Sequence, residues 1–228
     1  MLIGMTGIEI LLGIGVLALI GLGIWYGWKK EQERRRLFQE WADANNWSYA
    51  HGRNKEIYGR FGFLDRTNQG HSRYAIHVLE GEWQGREAVA FTFHYAVTHH
   101  DGKRTRTSHH YFGVTLMRLE KSFPELKVSP ESFFHKIGHA LGMQDIDFES
   151  IDFSKSYEVK CSEKKFAYDF FHTRMMEDFL AHKGTAMELE GEWIALFDKG
   201  KLEPHELEPC LDRLIRIREQ MPRYLFKN

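Results

Sequence analysis

Residues 73–97, RYAIHVLEGEWQGREAVAFTFHYAV, contain two alternating apolar segments that flank a tight-turn signal. Apolar residues at every second position are typical of a β-strand with one buried face. The dipeptide Gln84-Gly85 predicts a two-residue hairpin turn between strands at Arg73–Leu79 and Ala88–Val97. The residues expected on the shared apolar face are Val89, Phe91, Phe93, Tyr95, Tyr74, Ile76 and Val78.

Further elements are predicted on the C-terminal side of this hairpin. Asp101-Gly102 is a second hairpin signal, and a third strand is expected at His109–Leu119. An antiparallel sheet with one apolar face needs a covering layer. Helices are predicted from Ser129-Pro130 to Gly142, from Ser162 to His182 with a break near Thr173, and near Leu207–Met221, together with a short hairpin of Met187–Glu190 and Trp193–Phe197 around Gly191. The predicted fold class is α+β, an antiparallel sheet with helices packed on one face.

The N-terminal segment predicts a transmembrane helix over residues 1–28. Residues 10–28 form a run of 19 residues without a charged side chain. At about 1.5 Å per residue, this run nearly spans a hydrocarbon core of about 30 Å. A secretory signal peptide would have basic residues before the apolar run, and none precedes Lys29. The expected membrane-interface residues are Trp25, Tyr26, Trp28, Lys29 and Lys30.

Charge predicts the orientation of this span. Lys29, Lys30 and the run Arg34–Arg36 follow it, so the positive-inside rule places the N-terminus outside and the remainder in the cytoplasm. Two cysteines without framework spacing agree with a reducing compartment. We expect a juxtamembrane helix at residues 29–46, followed by one cytoplasmic α+β domain at residues 47–228.

The expected partners follow from the span and the composition. The lipid bilayer is the first partner, and a protein in or at the membrane is the second. Gly23 and Gly27 form a GxxxG motif that can pair membrane helices, so a homo-oligomer through the span is an open alternative to simple tolerance of glycine in lipid. A formal net charge of −1 gives no indication of nucleic-acid binding.

Three histidines are predicted to share one face of the sheet. With two-residue turns at both hairpin signals, His77 lies opposite Thr92, and His94 lies opposite His109. Close imidazoles can bind a metal or disfavour one another's protonation. The alternative interpretation of His77, His94 and His109 is a polar sheet face that uses histidine.

A second pair of histidines occurs in HKIGH, where His135 and His139 are spaced to lie on one side of the predicted helix. This spacing can chelate a metal. Lys136 stands where a zinc protease of the HExxH type has glutamate, and no third ligand is identified. The alternative is a solvent-facing pair.

A basic loop connects the second and third predicted strands. Lys103, Arg104 and Arg106 lie there, and on a membrane-tethered domain they could contact anionic lipid headgroups or a phosphate-bearing ligand. The alternative is an ordinary solvated hairpin tip.

The C-terminal half resembles an uncharacterised bacterial protein family. The resemblance rests on LKVSPESFF, IDFES, FSKSYEV, FAYDFFHTRMMEDFL and GEWIALF, followed by a helix that ends in MP. The resemblance implies an N-terminal membrane segment and a soluble domain. It implies no activity and no site residues.

These patterns favour a single-pass membrane protein that presents a cytoplasmic binding or scaffolding domain. No nucleophile elbow, cysteine–histidine pair or phosphate-binding loop is found, so catalysis is not expected and no cofactor is predicted. The first alternative is a membrane-anchored metal-dependent hydrolase that uses the histidines. A second alternative, a subunit of a larger membrane complex, would expose an apolar patch on the juxtamembrane helix or the outer sheet face.

Overall fold

The computed structural model describes residues 7–102, 104–130, 144–184 and 186–227. Six α-helices and seven β-strands occur in these residues. The predicted α+β class is confirmed, with a long N-terminal apolar helix followed by an antiparallel sheet against which helices pack.

The helices and strands alternate irregularly along the chain. The helices are α1 Gly7–Asn45, α2 Glu56–Phe61, α3 Ile151–Ser156, α4 Lys164–Phe170, α5 Thr173–Ala181 and α6 Leu207–Gln220. The strands are β1 Ser48–Ala50, β2 His71–Trp83, β3 Arg86–Asp101, β4 Arg104–Pro130, β5 Gln144–Asp145, β6 Tyr157–Cys161 and β7 Ala186–Lys199. The sheet order is β1-β2-β3-β4-β6-β5, and β7 pairs with the other edge of β4.

Strand β4 is much longer than predicted, and it organises the sheet. Its first half pairs with β3, and its last residues pair with β6. Ser129 and Pro130 were expected to start a helix, but they are strand residues opposite Glu158 and Tyr157, so that prediction is wrong. Pairing with β6 and β7 overrides the local helix-start signal. The rest of the predicted helix, with His135 and His139, lies outside the described residues.

Strand β7 corrects a second prediction. The expected hairpin around Gly191 is wrong, because one continuous strand runs from Ala186 to Lys199 along β4. Gly191 has a φ of +59° and lies where the register between β4 and β7 shifts. Its freedom at positive φ is used for a bulge rather than for a turn.

Both faces of the sheet around β3 are covered. The predicted apolar face packs against α2 and the following segment. The buried residues of this face include Val89, Phe91, Phe93, Tyr95, Val114 and Leu116. Ile57, Phe61 and Leu64 pack on them from α2 and the segment after it. The opposite face, which carries Ala88, Ala90 and Thr92, packs against Phe38 and Ala42 of α1, and also against α6. We call this the α1 face.

A third cluster fills the part of the sheet that contains β6. Helices α3 to α6 cover it with aromatic side chains, among them the fully or nearly buried Phe153, Phe166, Phe170, Phe171 and Phe179. The predicted break near Thr173 is confirmed, since α4 ends at Phe170 and α5 begins at Thr173.

Helix α1 is continuous from Gly7 to Asn45, which is about 58 Å at 1.5 Å per residue. Within the described residues, one helix is long and apolar enough to cross a membrane, and it is α1. Its first part is unburied, with exposed Leu12, Ile14, Val16, Leu17, Leu19, Ile20, Leu22, Ile24, Trp25, Tyr26 and Trp28. Its last part carries the buried Phe38 and Ala42.

Replacing Gly81 by alanine is expected to destabilise the fold. A Cβ there would lie 2.5–2.7 Å from the Trp47 ring, closer than van der Waals contact. The indole N–H of Trp47 donates to the carbonyl oxygen of Glu82 at 2.9 Å, which restricts its movement. Overpacking of this kind costs about 1–3 kcal/mol. Denaturant unfolding of the detergent-solubilised full chain, followed by tryptophan fluorescence, measures the change. Gly52→Ala is the control, because a Cβ there meets no atom within 4 Å; equal losses in both variants would contradict the prediction.

Candidate functional site at the junction of helix and sheet

A β-bulge in β2 creates the junction. Ile76 pairs with Thr92 and Leu79 pairs with Ala90, so two residues of β2 face one residue of β3. His77 is the first of these two, with a φ of +52°. Histidine is one of the residue types that adopt this region more readily than most.

The bulge corrects the predicted register. His77 was expected opposite Thr92, which is wrong by one residue. Because side chains alternate between faces, Tyr74 and Ile76 lie on the α1 face instead of the predicted apolar face. His77 nevertheless reaches the α1 face, where its ring lies 5.3 Å from that of Phe38.

His77 links α1 to the sheet through both ring nitrogens. Its Nε2 lies 2.9 Å from Glu31 Oε1, and its Nδ1 lies 2.6 Å from the Tyr49 hydroxyl. A carboxylate only accepts hydrogen bonds, so Nε2–H donates to Glu31, and the Tyr49 hydroxyl donates to Nδ1. The side chain of His77 is 0% exposed.

Glu31 is the charged centre of the junction. Arg34 and Arg35 of the same helix lie 3.6 Å and 3.4 Å from its carboxylate. Arg34 also donates through Nε to Glu203, at 3.1 Å, and pairs with it through a second nitrogen. The junction therefore joins α1, β1, β2 and the segment before α6.

Burial and charge set the protonation of this cluster. Burial lowers the pKa of His77, and it outweighs the opposing attraction of Glu31. Burial alone would raise the pKa of Glu31, but His77, Lys201 and Arg34 together hold it below its usual value. Burial and the charge of Glu31 raise the pKa of the Tyr49 hydroxyl far above its usual range. The hydrogen bonds of His77 with Glu31 and Tyr49 tie α1 to β1 and β2.

His94 and His109 come together, but His77 does not join them. The predicted pairing of His94 with His109 is wrong, because His94 lies opposite Tyr111 and Ala96 lies opposite His109. The register differs by two residues, since the last pair before the turn is Asp101 with Arg104. A shift of two preserves the face, and His94 Nε2 lies 3.0 Å from His109 Nδ1.

This histidine pair lies in an aromatic setting. His94 is almost fully buried, and its ring stacks on Tyr74 at 4.2 Å. Burial lowers the pKa of His94, against a hydrogen bond with the Ser72 carbonyl. Among the described residues no group of three metal-ligating side chains is gathered, whereas catalytic zinc sites use three.

The remaining predicted site residues occupy separate places. Arg104 and Arg106 are exposed at the β3–β4 hairpin. Lys103, His135 and His139 lie outside the described residues, so their predicted roles stay predictions. At the expected membrane interface, Lys29 lies over the Trp25 ring at 5.2 Å, and α1 also carries Tyr26, Trp28 and Lys30.

The structure contains a buried glutamate, Glu188, that no sequence pattern predicted. Glu188 of β7 is 4% exposed and accepts hydrogen bonds from the backbone N–H groups of Asp65 and Arg66, at 2.8 and 3.2 Å. The Arg66 guanidinium lies 3.7 Å away. In MELEGEW, alternation places Glu188 on the polar side of the strand, and no local signal marks that side as covered.

Polar contacts around Glu188 attach the short turn Asp65–Asn68 to strands β4 and β7. Lys127 of β4 pairs with Asp65 and with Glu125. Arg66 also donates to the Ser129 hydroxyl at 3.1 Å. Burial raises the pKa of Glu188 to about 7, even though Arg66 and Lys127 favour its carboxylate form.

The cysteines show no activated thiol. Cys161 is buried and Cys210 is half-buried, and both are free. Cys210 donates to Asp198 at 3.3 Å in an open cleft beside α6. Burial and the nearby Asp198 raise the pKa of Cys210 far above its usual value, and burial raises that of Cys161. Thiolate chemistry needs the opposite shift.

Comparisons with known proteins support the fold. No family model matches the sequence, and no curated protein matches it. The crystal structure of the mycobacterial trehalose monomycolate transport factor A is similar, with a TM-score of 0.58 and 12% identity over 82% of this chain and 92% of that chain. The likeness establishes a shared fold and no residue roles. The particular family suggested by the sequence motifs stays a prediction.

The contribution of His77 to stability is expected to depend on pH. Its lowered folded-state pKa keeps it neutral, while an unfolded histidine takes up a proton below about pH 6.5. Stability from this residue is therefore present above that pH and lost as the pH falls towards the folded pKa, by at most about 1.4 kcal/mol per pH unit. The free-energy difference between wild type and His77→Asn should shrink from pH 7.5 to pH 5.5 in denaturant unfolding. Asparagine tolerates the positive φ. The exposed His51→Asn is the control, and a pH-independent difference for His77→Asn would refute the prediction.

Glu188 is expected to act in the opposite direction. Its pKa rises from 4.5 to about 7 on folding, so between these values the folded state keeps a proton that the unfolded chain has lost. Stability from this residue therefore falls as the pH rises through that window. Glu188→Gln removes this loss, and its stability relative to wild type should improve by up to about 3 kcal/mol from pH 4.5 to pH 8. The same unfolding assay tests this, with the exposed Glu219→Gln as control. A Glu188→Gln profile parallel to wild type would disprove it.

Proposed function

We propose that this chain is a single-pass membrane protein that holds an α+β binding or scaffolding domain, residues 47–228, at the cytoplasmic face of the membrane. The observation that carries the proposal is the continuity of α1. An unburied apolar half runs without a break into a half that is docked on the sheet through Phe38, Ala42 and the Glu31–His77 bond. A joint of this kind transmits the position of the span to the domain.

The cytoplasmic orientation rests on charge and on thiols. Lys29, Lys30 and Arg34–Arg36 follow the apolar run, as expected on the cytoplasmic side. Cys161 and Cys210 are free, which agrees with a reducing compartment.

Binding is favoured over catalysis. The pKa shifts at Tyr49 and Cys210 oppose nucleophilic chemistry. The mycobacterial protein with a similar fold is described as a transport factor. We propose that the present chain acts by binding a protein in or at the membrane. No observation in the described residues favours the alternative, a metal-dependent hydrolase.

Protease accessibility tests the proposal. The full chain should fractionate with membranes, and protease should digest the domain in inverted vesicles but not in intact spheroplasts. Leu17→Arg should move part of the chain out of the membrane fraction, because arginine near the centre of a span costs about 2.5–3.5 kcal/mol. Leu37→Arg is the matched control, since Leu37 lies beyond the apolar run.

Two results would overturn the proposal. Digestion of the domain in intact spheroplasts would reverse the orientation. Stoichiometric zinc or manganese in the purified full chain would favour the hydrolase over the binding module.

A further inference from the structure

A two-stranded ribbon projects from one end of the sheet. Strand β2 pairs with β3 as far as Ala96, and β7 starts pairing with β4 at Phe112. Beyond these points, residues 98–101 pair only with residues 104–107 among the described residues. We call these two segments the ribbon. An isolated two-stranded hairpin is marginally stable in water, so a projecting ribbon is a good candidate for a contact surface.

The ribbon and the apolar half of α1 leave the domain at the same end. The Trp41 ring of α1 lies 5.9 Å from that of Trp83, at the end of β2. Glu31 precedes Trp41 by ten residues in α1, and His77 precedes Trp83 by six residues in β2. Glu31 and His77 are hydrogen-bonded to each other. Moving along α1 towards the membrane therefore means moving towards the start of β2. Because β3 is antiparallel to β2, this direction leads to the ribbon.

The ribbon is long enough to reach the headgroup layer. Asp101 lies ten residues along β3 from Phe91, which faces the bulge at His77, and ten strand residues extend about 33 Å. Trp28 is three helical residues before Glu31, or about 5 Å. Even a strand that diverges by about 60° from the helix axis would advance about 16 Å towards the membrane.

The chemistry of the ribbon suits an anionic surface. The segment 98–107 contains one acidic residue, Asp101, and three basic residues, Lys103, Arg104 and Arg106. In the part of the chain that the structure describes, the exposed Arg104 and Arg106 form no ion pair. The guanidinium group matches the geometry of phosphate oxygens. The other side chains are threonine and histidine, whereas the centre of a protein interface is apolar.

We propose that the ribbon binds anionic phospholipid headgroups of the membrane that α1 crosses, through Arg104 and Arg106, and so fixes the tilt of the domain. This inference rests on the proposed membrane anchoring. The docked half of α1 joins the domain to the membrane span, and the ribbon supplies a second, separate attachment to the same membrane surface.

Site-specific photocross-linking tests this contact in the full chain. Benzoylphenylalanine replaces Thr105 in protein reconstituted into phosphatidylcholine vesicles, or into an equal mixture of phosphatidylcholine and phosphatidylglycerol. Mass spectrometry then identifies the adduct. We expect a phospholipid adduct in the mixed vesicles that falls several-fold in phosphatidylcholine alone and at high salt. The same label at Glu82, at the opposite end of β2, should give none.

Charge variants link the adduct to the arginines. Arg104→Glu with Arg106→Glu should reduce the Thr105 adduct several-fold. Lys164→Glu with Lys165→Glu makes the same change of charge on α4, which packs beside Phe123 of β4, far along the strand from the ribbon. This control pair should leave the adduct unchanged. Inorganic phosphate should compete no better than chloride at equal ionic strength.

A label at Tyr26 separates the two proposals. Lipid adducts at Tyr26 but none at Thr105 would overturn the headgroup contact and leave the anchoring intact. Absence of adducts at both positions would overturn the anchoring itself. A Thr105 cross-link to a second copy of the chain, or selective competition by inorganic phosphate, would overturn the choice of lipid as the partner.

Discussion

The hydrogen bond between the half-buried Glu31 and the buried His77 is the interaction on which the docking of α1 on the sheet depends. A carboxylate and an imidazole are expensive to bury without partners, and here each satisfies the other while Tyr49 and Arg34 complete the shell. The bond fixes α1 against β2 at the position of the bulge. Phe38 and Ala42 of α1 pack on the same face of the sheet, and together with this hydrogen bond they hold α1 against the domain.

Strand β4 provides the second constraint. Its first half pairs with β3 and its end pairs with β6, while β7 follows its other edge. One long strand thereby joins an aromatic core under α2 to another under α3 to α6. Its first residues extend past the ends of β2 and β7 and, paired with β3, form half of the ribbon. The same strand that unifies the core therefore also carries the proposed membrane contact.

The sequence predicted some parts of the candidate site and missed others for identifiable reasons. The face shared by His94 and His109 was predicted correctly, because a register error of two residues does not change the face. The strand pairing at His77 was predicted wrongly by one residue, because a one-residue bulge without glycine leaves no local signal in the sequence. The burial of Glu188 was not predicted, because its position in the alternating strand pattern is that of an exposed residue. The residues that cover it, Asp65 and Arg66, lie more than one hundred residues away in the sequence.

The sequence alone determined those features that depend on local period and composition. These are the apolar run with its aromatic and basic end, the alternating strands of residues 73–97, and the break between α4 and α5. Tertiary structure decided the features that depend on pairing between distant segments. The extension of β4 through Ser129 and Pro130, the continuity of β7 through Gly191 and the bulge at His77 all belong to this group. Hydrogen bonding along the full length of neighbouring strands outweighs a local cap or turn preference of about 1 kcal/mol.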